Sequence, residues 1–197
     1  MPVSPKCNKK PITKIVIFYI NELNRENIKI LDLGIGYGDF GELIKNNSQQ
    51  KTEITGVEIW EKYKNPKWSY YDKIIIGDIL KFIKTQSTIF DIILLLDVLE
   101  HFDRKDGLAL IKQLKAITNG LLIISTPVTK CPQGSCQGNS YETHRYIWKE
   151  KELKQLGFKI LQQKWVLLIG AIRELQFWPL FTKFDIFYYK SKNPKLK

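Results

Sequence analysis

The sequence predicts a single α/β domain: a parallel sheet covered by helices, with an antiparallel strand at one edge. Three observations lead there. After an opening helical segment, strand-like and helix-like hydrophobic patterns alternate five times. The first strand runs straight into a glycine-rich turn. The last two strands follow one another with no helical crossover, which suits antiparallel pairing. A length of 197 residues fits one domain, and 44% hydrophobic residues are enough for a full core without disulfides or metals.

The elements read as follows. Ile12, Ile15, Val16, Tyr19, Ile20 and Leu23 share one helical face, so 12–23 is a helix with Pro11 in its first turn. Residues 24–27 end it. Strand 28–33 carries one acid, Asp32. A helix restarts near Asp39 and ends at 46–47. Strands follow at 53–58 and 73–76, the second closed by Gly77 and Asp78, then a short helix at 79–84. Residues 90–96 are almost continuously apolar, as in a strand buried on both faces. Helix 106–117 carries Leu110, Ile111, Leu114 and Ile117, is stopped by Asn119 and Gly120, and leads into strand 121–125. A polar segment, 126–144, interrupts the pattern and is long enough to suggest a functional loop. Helix 149–156 ends at Gly157 in the C′ position. Strands 158–169 and 184–189 close the chain, joined by 170–183. No internal repeat is visible. The expected division is a helical extension over 1–27, a core over 28–190 and a basic tail over 191–197.

Thirty-one Lys and Arg against 20 Asp and Glu give a net charge of +11. That excess favours polyanionic partners, RNA among them, although the lysines are scattered and form no run of five. Three cysteines, Cys7, Cys131 and Cys136, are too few for a secreted disulfide framework. The first ten residues lack the apolar core of a signal peptide, and apolar stretches such as 165–172 fall short of the ~18 residues that span a bilayer. A cytoplasmic protein without membrane contact is the expectation.

The segment Ile30-Leu31-Asp32-Leu33-Gly34-Ile35-Gly36-Tyr37-Gly38-Asp39-Phe40-Gly41 carries the most chemistry. Alternating glycines let the chain turn sharply and let a ligand lie against bare backbone. Gly36 to Gly41 satisfies the dinucleotide pattern G-x-G-x-x-G, which alone is a weak signal. An acid at position 32 would face a pyrophosphate across the same crevice, and it suits an ammonium group better. Glu58 ends the second strand, where a carboxylate can hydrogen-bond ribose hydroxyls. An ammonium anchor plus a ribose anchor fits S-adenosylmethionine better than a nicotinamide dinucleotide.

From about Ile28 to Lys190 the chain resembles the class I S-adenosylmethionine-dependent methyltransferases. LDLGIGYG resembles their first motif, VEIW the acidic end of the second strand, GDIL the adenine-side motif, FDIILLLDVLEHF the fourth strand, and GLLIISTP the fifth. HRYIWKEKELKQLGF resembles the closing helix and strand of many small-molecule members. The resemblance implies a Rossmann-like seven-stranded sheet ordered 3-2-1-4-5-7-6, with strand 7 antiparallel and helices on both faces. It implies that Asp32 and Gly34 lie near the methionine moiety, that Gly36 and Gly38 bind the cofactor in the same turn, and that Glu58 takes the ribose. Ile59 and Ile79 would flank the adenine, Asp78 accept from its amine, and Leu96 and Asp97 border the methyl donor.

Methyl transfer from a sulfonium needs alignment first and a base only for some acceptors. The chain has two histidines, His101 after Asp97-Val98-Leu99-Glu100 and His144 beside Arg145, both expected at the acceptor rim. Each reads equally well as a catalytic residue or as a structural hydrogen-bonding one. Cys131, Cys136 and His144 offer three metal-type ligands with no fourth in view, so no metal site is expected. Nothing resembles the [DN]-P-P-[YF] segment of exocyclic-amine enzymes acting on nucleic acids, the cysteine context of cytosine-C5 enzymes or the double-glutamate loop of arginine enzymes. A small acceptor is therefore expected. RNA methylation and a non-catalytic cofactor-binding module stand as the alternatives.

Overall fold

The computed structural model describes residues 6–168 and 180–191. Seven strands form one sheet in the order β3-β2-β1-β4-β5-β7-β6: β1 (Ile28–Leu33), β2 (Thr52–Glu58), β3 (Lys73–Ile76), β4 (Phe90–Leu96), β5 (Thr118–Pro127), β6 (Lys159–Leu168) and β7 (Leu180–Lys190). The first five are parallel, and β7 runs antiparallel to both β5 and β6. This is the class and strand order expected from the sequence.

Side chains alternate across the strands and feed two cores. Leu31, Leu33, Ile93 and Leu95 pack with α3 (Ile79–Thr85), α4 (Arg104–Ile117) and α5 (Glu150–Gln155). Ile28, Ile30, Ile92 and Leu94 pack on the opposite face with α1 (Lys6–Leu23) and α2 (Asp39–Asn47). Both faces of β4 are buried along its whole length, so the near-continuous apolar run was a sound strand signal. Because β1 is flanked by β2 and β4, the chain reverses direction of sheet growth beside β1. In open α/β sheets such a point, beyond the carboxyl ends of the strands, is where ligand crevices form.

Several boundaries differ from expectation. Helix α1 begins at Lys6, so Pro11 lies inside it rather than in its first turn; its missing N–H removes one intrahelical donor near the helix start, a tolerable loss there. Helix α4 starts at Arg104, two residues early, after Asp103 at the N-cap. Strand β5 starts at Thr118, and Asn119 and Gly120 belong to it rather than to a stop. Packing overrides their turn preference: a Cβ on Gly120 would sit 2.3 Å from the Tyr19 hydroxyl and 2.5 Å from the Asp91 carbonyl. Strand β7 starts at Leu180, inside the expected 170–183 connection. The rest of that connection (to residue 179), Ile169, residues 1–5 and residues 192–197 of the basic tail lie outside the described residues. Two 3-10 turns, Glu61–Tyr63 and Pro66–Tyr70, occupy the β2–β3 connection, where no element was expected. Among the described residues, no helix is long and apolar enough to cross a membrane.

Candidate active site

The glycine turn leaves β1 at the crevice. Gly34, Gly36 and Gly38 have φ of 75°, 52° and 81°, left-handed values that favour glycine. The turn is pinned by Gly34 N–H donating to the Val57 carbonyl at 2.8 Å and Gly38 N–H to the Ile35 carbonyl at 2.8 Å. Gly34 has a second constraint, because a Cβ there would lie 2.4 Å from Val98 Cγ2.

Two buried carboxylates flank the turn. Glu58 Oε2 accepts from the Gly36 N–H at 2.8 Å, and Oε1 accepts from the Trp60 N–H at 2.9 Å. Glu58 therefore braces the turn as well as ending β2. Burial still raises its carboxyl above the usual range, against the lowering effect of those amides. Asp32 is 3% exposed, and its Oδ2 accepts from the Tyr71 hydroxyl at 2.6 Å. Burial pushes its carboxyl up to about 7; the Tyr71 bond opposes this and the negative Glu58 adds to it.

The β2–β3 connection closes the outer side of the turn. Trp68 Nε1–H donates to the Gly36 carbonyl at 2.9 Å, and Asn65 Nδ2–H donates to the Tyr37 carbonyl at 2.9 Å. Tyr71 also accepts from the Gly41 N–H at 3.1 Å. The sequence reading missed Asn65, Trp68 and Tyr71, since the stretch has neither a helical nor a strand period. Asp39 opens α2 and pairs with Lys9 of α1 and with Lys67.

The remaining expected cofactor residues lie around the same crevice end of the sheet. Ile59 follows β2 directly. Ile79 is buried at the start of α3. Asp78 is the N-cap of that helix, its Oδ1 accepting from the Lys81 N–H at 2.9 Å, so local capping accounts for one of its oxygens. Leu96, buried, ends β4. Asp97 follows it at a left-handed φ of 54°; its N–H donates to the Ser125 carbonyl at 2.9 Å, and its Oδ1 accepts from the Ser125 hydroxyl at 2.7 Å.

The expected acceptor rim comprises the 3-10 turn Leu99–His101 and the end of the loop after β5. The Glu100 carbonyl accepts from the Arg145 N–H at 2.8 Å and the Tyr146 N–H at 3.2 Å, which fastens the loop to the turn. Trp148, fully buried, adds a bond from its Nε1–H to the Leu99 carbonyl at 3.0 Å. His101 and His144 thereby meet, with ring centroids 5.0 Å apart. Burial lowers both imidazoles below their ordinary value, favouring the neutral form. Glu100, which the sequence reading quoted within a motif without assigning it a role, joins them. It is 2% exposed, its Oε2 accepts from the Thr126 hydroxyl at 3.0 Å, and burial raises its carboxyl strongly. Neither Cys131 nor Cys136 is in a disulfide; Cys131 contributes its backbone carbonyl to His144 Nδ1.

No curated protein matches the sequence significantly. Solved structures share the fold. Magnesium protoporphyrin IX methyltransferase (ChlM) from Synechocystis PCC 6803, with bound S-adenosylmethionine, is 16% identical with a TM-score of 0.55, over 91% of this chain and 78% of that one. The N-methyltransferase NodS from Bradyrhizobium japonicum WM9, in complex with S-adenosyl-L-homocysteine, is 12% identical with a TM-score of 0.57, over 94% and 89%. The small RNA methyltransferase HEN1 is 17% identical with a TM-score of 0.56, over 92% of this chain and 26% of that one. The family model described as a methyltransferase domain matches residues 9–164. The glycine turn and the two flanking carboxylates lie inside that span, and the chain belongs to the methyltransferase-domain family, with the seven-stranded order of the class I fold.

Proposed function

We propose that the chain binds S-adenosylmethionine at the glycine turn and moves its methyl group by in-line displacement to a small or medium-sized acceptor. The observation that carries this reading is the Asp32 carboxyl. It is buried beside a hydroxyl and a second acid, and burial holds it near pH 7. A cationic ligand group relieves that cost, whereas a pyrophosphate adds charge of the same sign. The fit and the family membership together support S-adenosylmethionine over a dinucleotide.

The sulfonium supplies a methyl group already activated for displacement. The chain's own residues do the rest. Asp32 seats the ammonium, while Gly34, Gly36 and Gly38 keep backbone close to the ligand. Glu58 hydrogen-bonds the ribose. Ile59 and Ile79 flank the adenine, with Asp78 at its amine, and Leu96 and Asp97 border the methyl end. His101 and His144 orient the acceptor beneath residues 126–146. The porphyrin-acting neighbour is in keeping with a small acceptor.

Calorimetry with S-adenosylhomocysteine tests this reading. One equivalent should bind the wild type, binding should be lost in Asp32→Asn, and NADH should not bind. NADH binding in place of S-adenosylhomocysteine would overturn it. The net charge of +11 favours a second reading, with RNA as acceptor. Its mark is RNA affinity falling with log salt at a slope of about −0.7 per phosphate contact on single strands; no RNA retention at low salt removes it.

A further inference from the structure

One ligand-type atom from each of Glu100, His101 and His144 lies within 4.8 Å of the other two. The three come from two segments, the 3-10 turn Leu99–His101 and the distal end of the post-β5 loop, joined by the main-chain bonds from Arg145 and Tyr146. We propose that these side chains bind one divalent transition-metal ion, of the zinc or manganese type, at the acceptor end of the cleft.

The tautomer of His144 points the same way. His101 Nδ1 lies 3.2 Å from the Thr143 carbonyl, with the Asp97 backbone also hydrogen-bonded to the ring, and His144 Nδ1 lies against the Cys131 carbonyl. A carbonyl only accepts, so in the neutral His144 ring Nδ1 carries the proton and Nε2 carries the lone pair. This is the arrangement in which a backbone carbonyl orients a metal-binding imidazole. His144 Nε2 is 4.0 Å from Glu100 Oε1, too far for a hydrogen bond. Two ligands on one ion, with bonds of about 2.0–2.2 Å, sit roughly 3–3.5 Å apart, so a small side-chain rotation brings the pair to coordinating distance.

The surroundings also call for a cation. Glu100 is almost fully buried, and the acids Asp97 and Glu142 are among the groups that raise its carboxyl. Glu142 also acts on His144, and the guanidinium of Arg145 acts on His101. The Thr126 hydroxyl orients the carboxylate from behind. Two imidazoles and one carboxylate suit borderline transition metals better than magnesium or calcium, which prefer oxygen-rich sites. Three protein ligands leave positions open for an acceptor atom. The binding of the ion stands by itself; its use in holding or acidifying an acceptor hydroxyl rests on the methyl-transfer reading.

The test uses untagged, chelator-stripped full-length protein. Calorimetry with zinc, manganese and magnesium chlorides should show one equivalent of zinc or manganese bound and magnesium at least tenfold weaker. Glu100→Gln and His144→Ala should each weaken the transition metal at least tenfold. Because the chain has only two histidines, the wild type gives a variant-free readout: substoichiometric manganese should broaden both imidazole NMR signals ahead of the other side chains. Undisturbed rings, or uptake unchanged in both variants, would overturn the proposal. S-adenosylhomocysteine titrated into the same samples separates the two readings: metal uptake without nucleoside binding would sink the function and leave the ion site standing.

Discussion

Tyr71 donates a 2.6 Å hydrogen bond to Asp32 across 39 residues of sequence, and the same oxygen accepts from the Gly41 N–H. The phenol joins the end of β1 to the first turn of α2. Burial and the adjacent carboxylate raise the Tyr71 hydroxyl well above its ordinary value, which keeps it a donor. Space for the ring exists because Gly41 and Gly56 are bare; a Cβ on either would approach it to 2.3 and 2.8 Å respectively.

Tyr71→Phe removes the bond that steadies the ionised form of Asp32, and the carboxyl should rise further. S-adenosylhomocysteine affinity at pH 7 should fall about fivefold, the worth of roughly 1 kcal/mol for one hydrogen bond. The deficit should narrow at pH 8.5, where Asp32 is ionised in both proteins. Calorimetry at the two pH values reads this; an equal deficit at both would leave Tyr71 a packing residue only.

If Asp32 seats the ammonium as proposed, stability and cofactor binding should respond to pH in opposite directions. Its folded carboxyl is raised from 3.8 to about 7. The protonated group's contribution to stability is therefore fully present below pH 4 and lost as pH climbs through 7. An ammonium ligand needs the ionised form, so affinity should increase from pH 6 to 8. Denaturant unfolding of the wild type, referenced to Asp32→Asn, should show the ligand-free difference growing over pH 4–7. A flat difference would contradict the assignment.

Gly34→Ala meets two obstacles, a φ of 75° and Val98 Cγ2 at 2.4 Å. Left-handed strain alone costs about 1–3 kcal/mol. The variant should unfold at lower denaturant and lose S-adenosylhomocysteine binding. Gly134→Ala is the control, because nothing lies within 4 Å of its added methyl; it should match the wild type.

Trp148→Phe deletes the buried donor to the Leu99 carbonyl and leaves space beside Gly107, whose hypothetical Cβ lies 2.3 Å from the indole. The lost hydrogen bond and the void should together cost about 1–3 kcal/mol in chemical denaturation, although the Leu99 carbonyl keeps the Phe102 N–H at 3.3 Å. An unchanged midpoint would mean that the loop is held by its main-chain bonds alone.

The alternation that revealed the sheet was legible because each strand buries a face, so hydrophobic period reports topology. Turn chemistry was less reliable. Asn119 and Gly120 look like a helix stop, yet both belong to β5, where Tyr19 and Asp91 approach the bare Gly120 closely. The acids Asp32 and Glu58 stood out in the sequence because the first lies just before the glycine turn and the second ends a strand 20 residues beyond Gly38. Tyr71, Trp68 and Asn65 could not, since irregular 3-10 turns carry no periodic signal. Glu100 was in plain view, but its meeting with His144 depends on how a loop folds back, which no local pattern encodes.

Tyr63, in the 3-10 turn that precedes the Asn65 and Trp68 contacts, accepts from Asn139 Nδ2 at 3.0 Å and donates to Glu142 Oε1 at 3.1 Å. One phenol thus ties the strap over the glycine turn to the loop that carries His144. Occupancy on the nucleoside side should be felt as stiffening on the other, without any global rearrangement. In Tyr63→Phe that mechanical link is cut: hydrogen exchange in residues 139–144 should quicken, and nucleoside should no longer slow it.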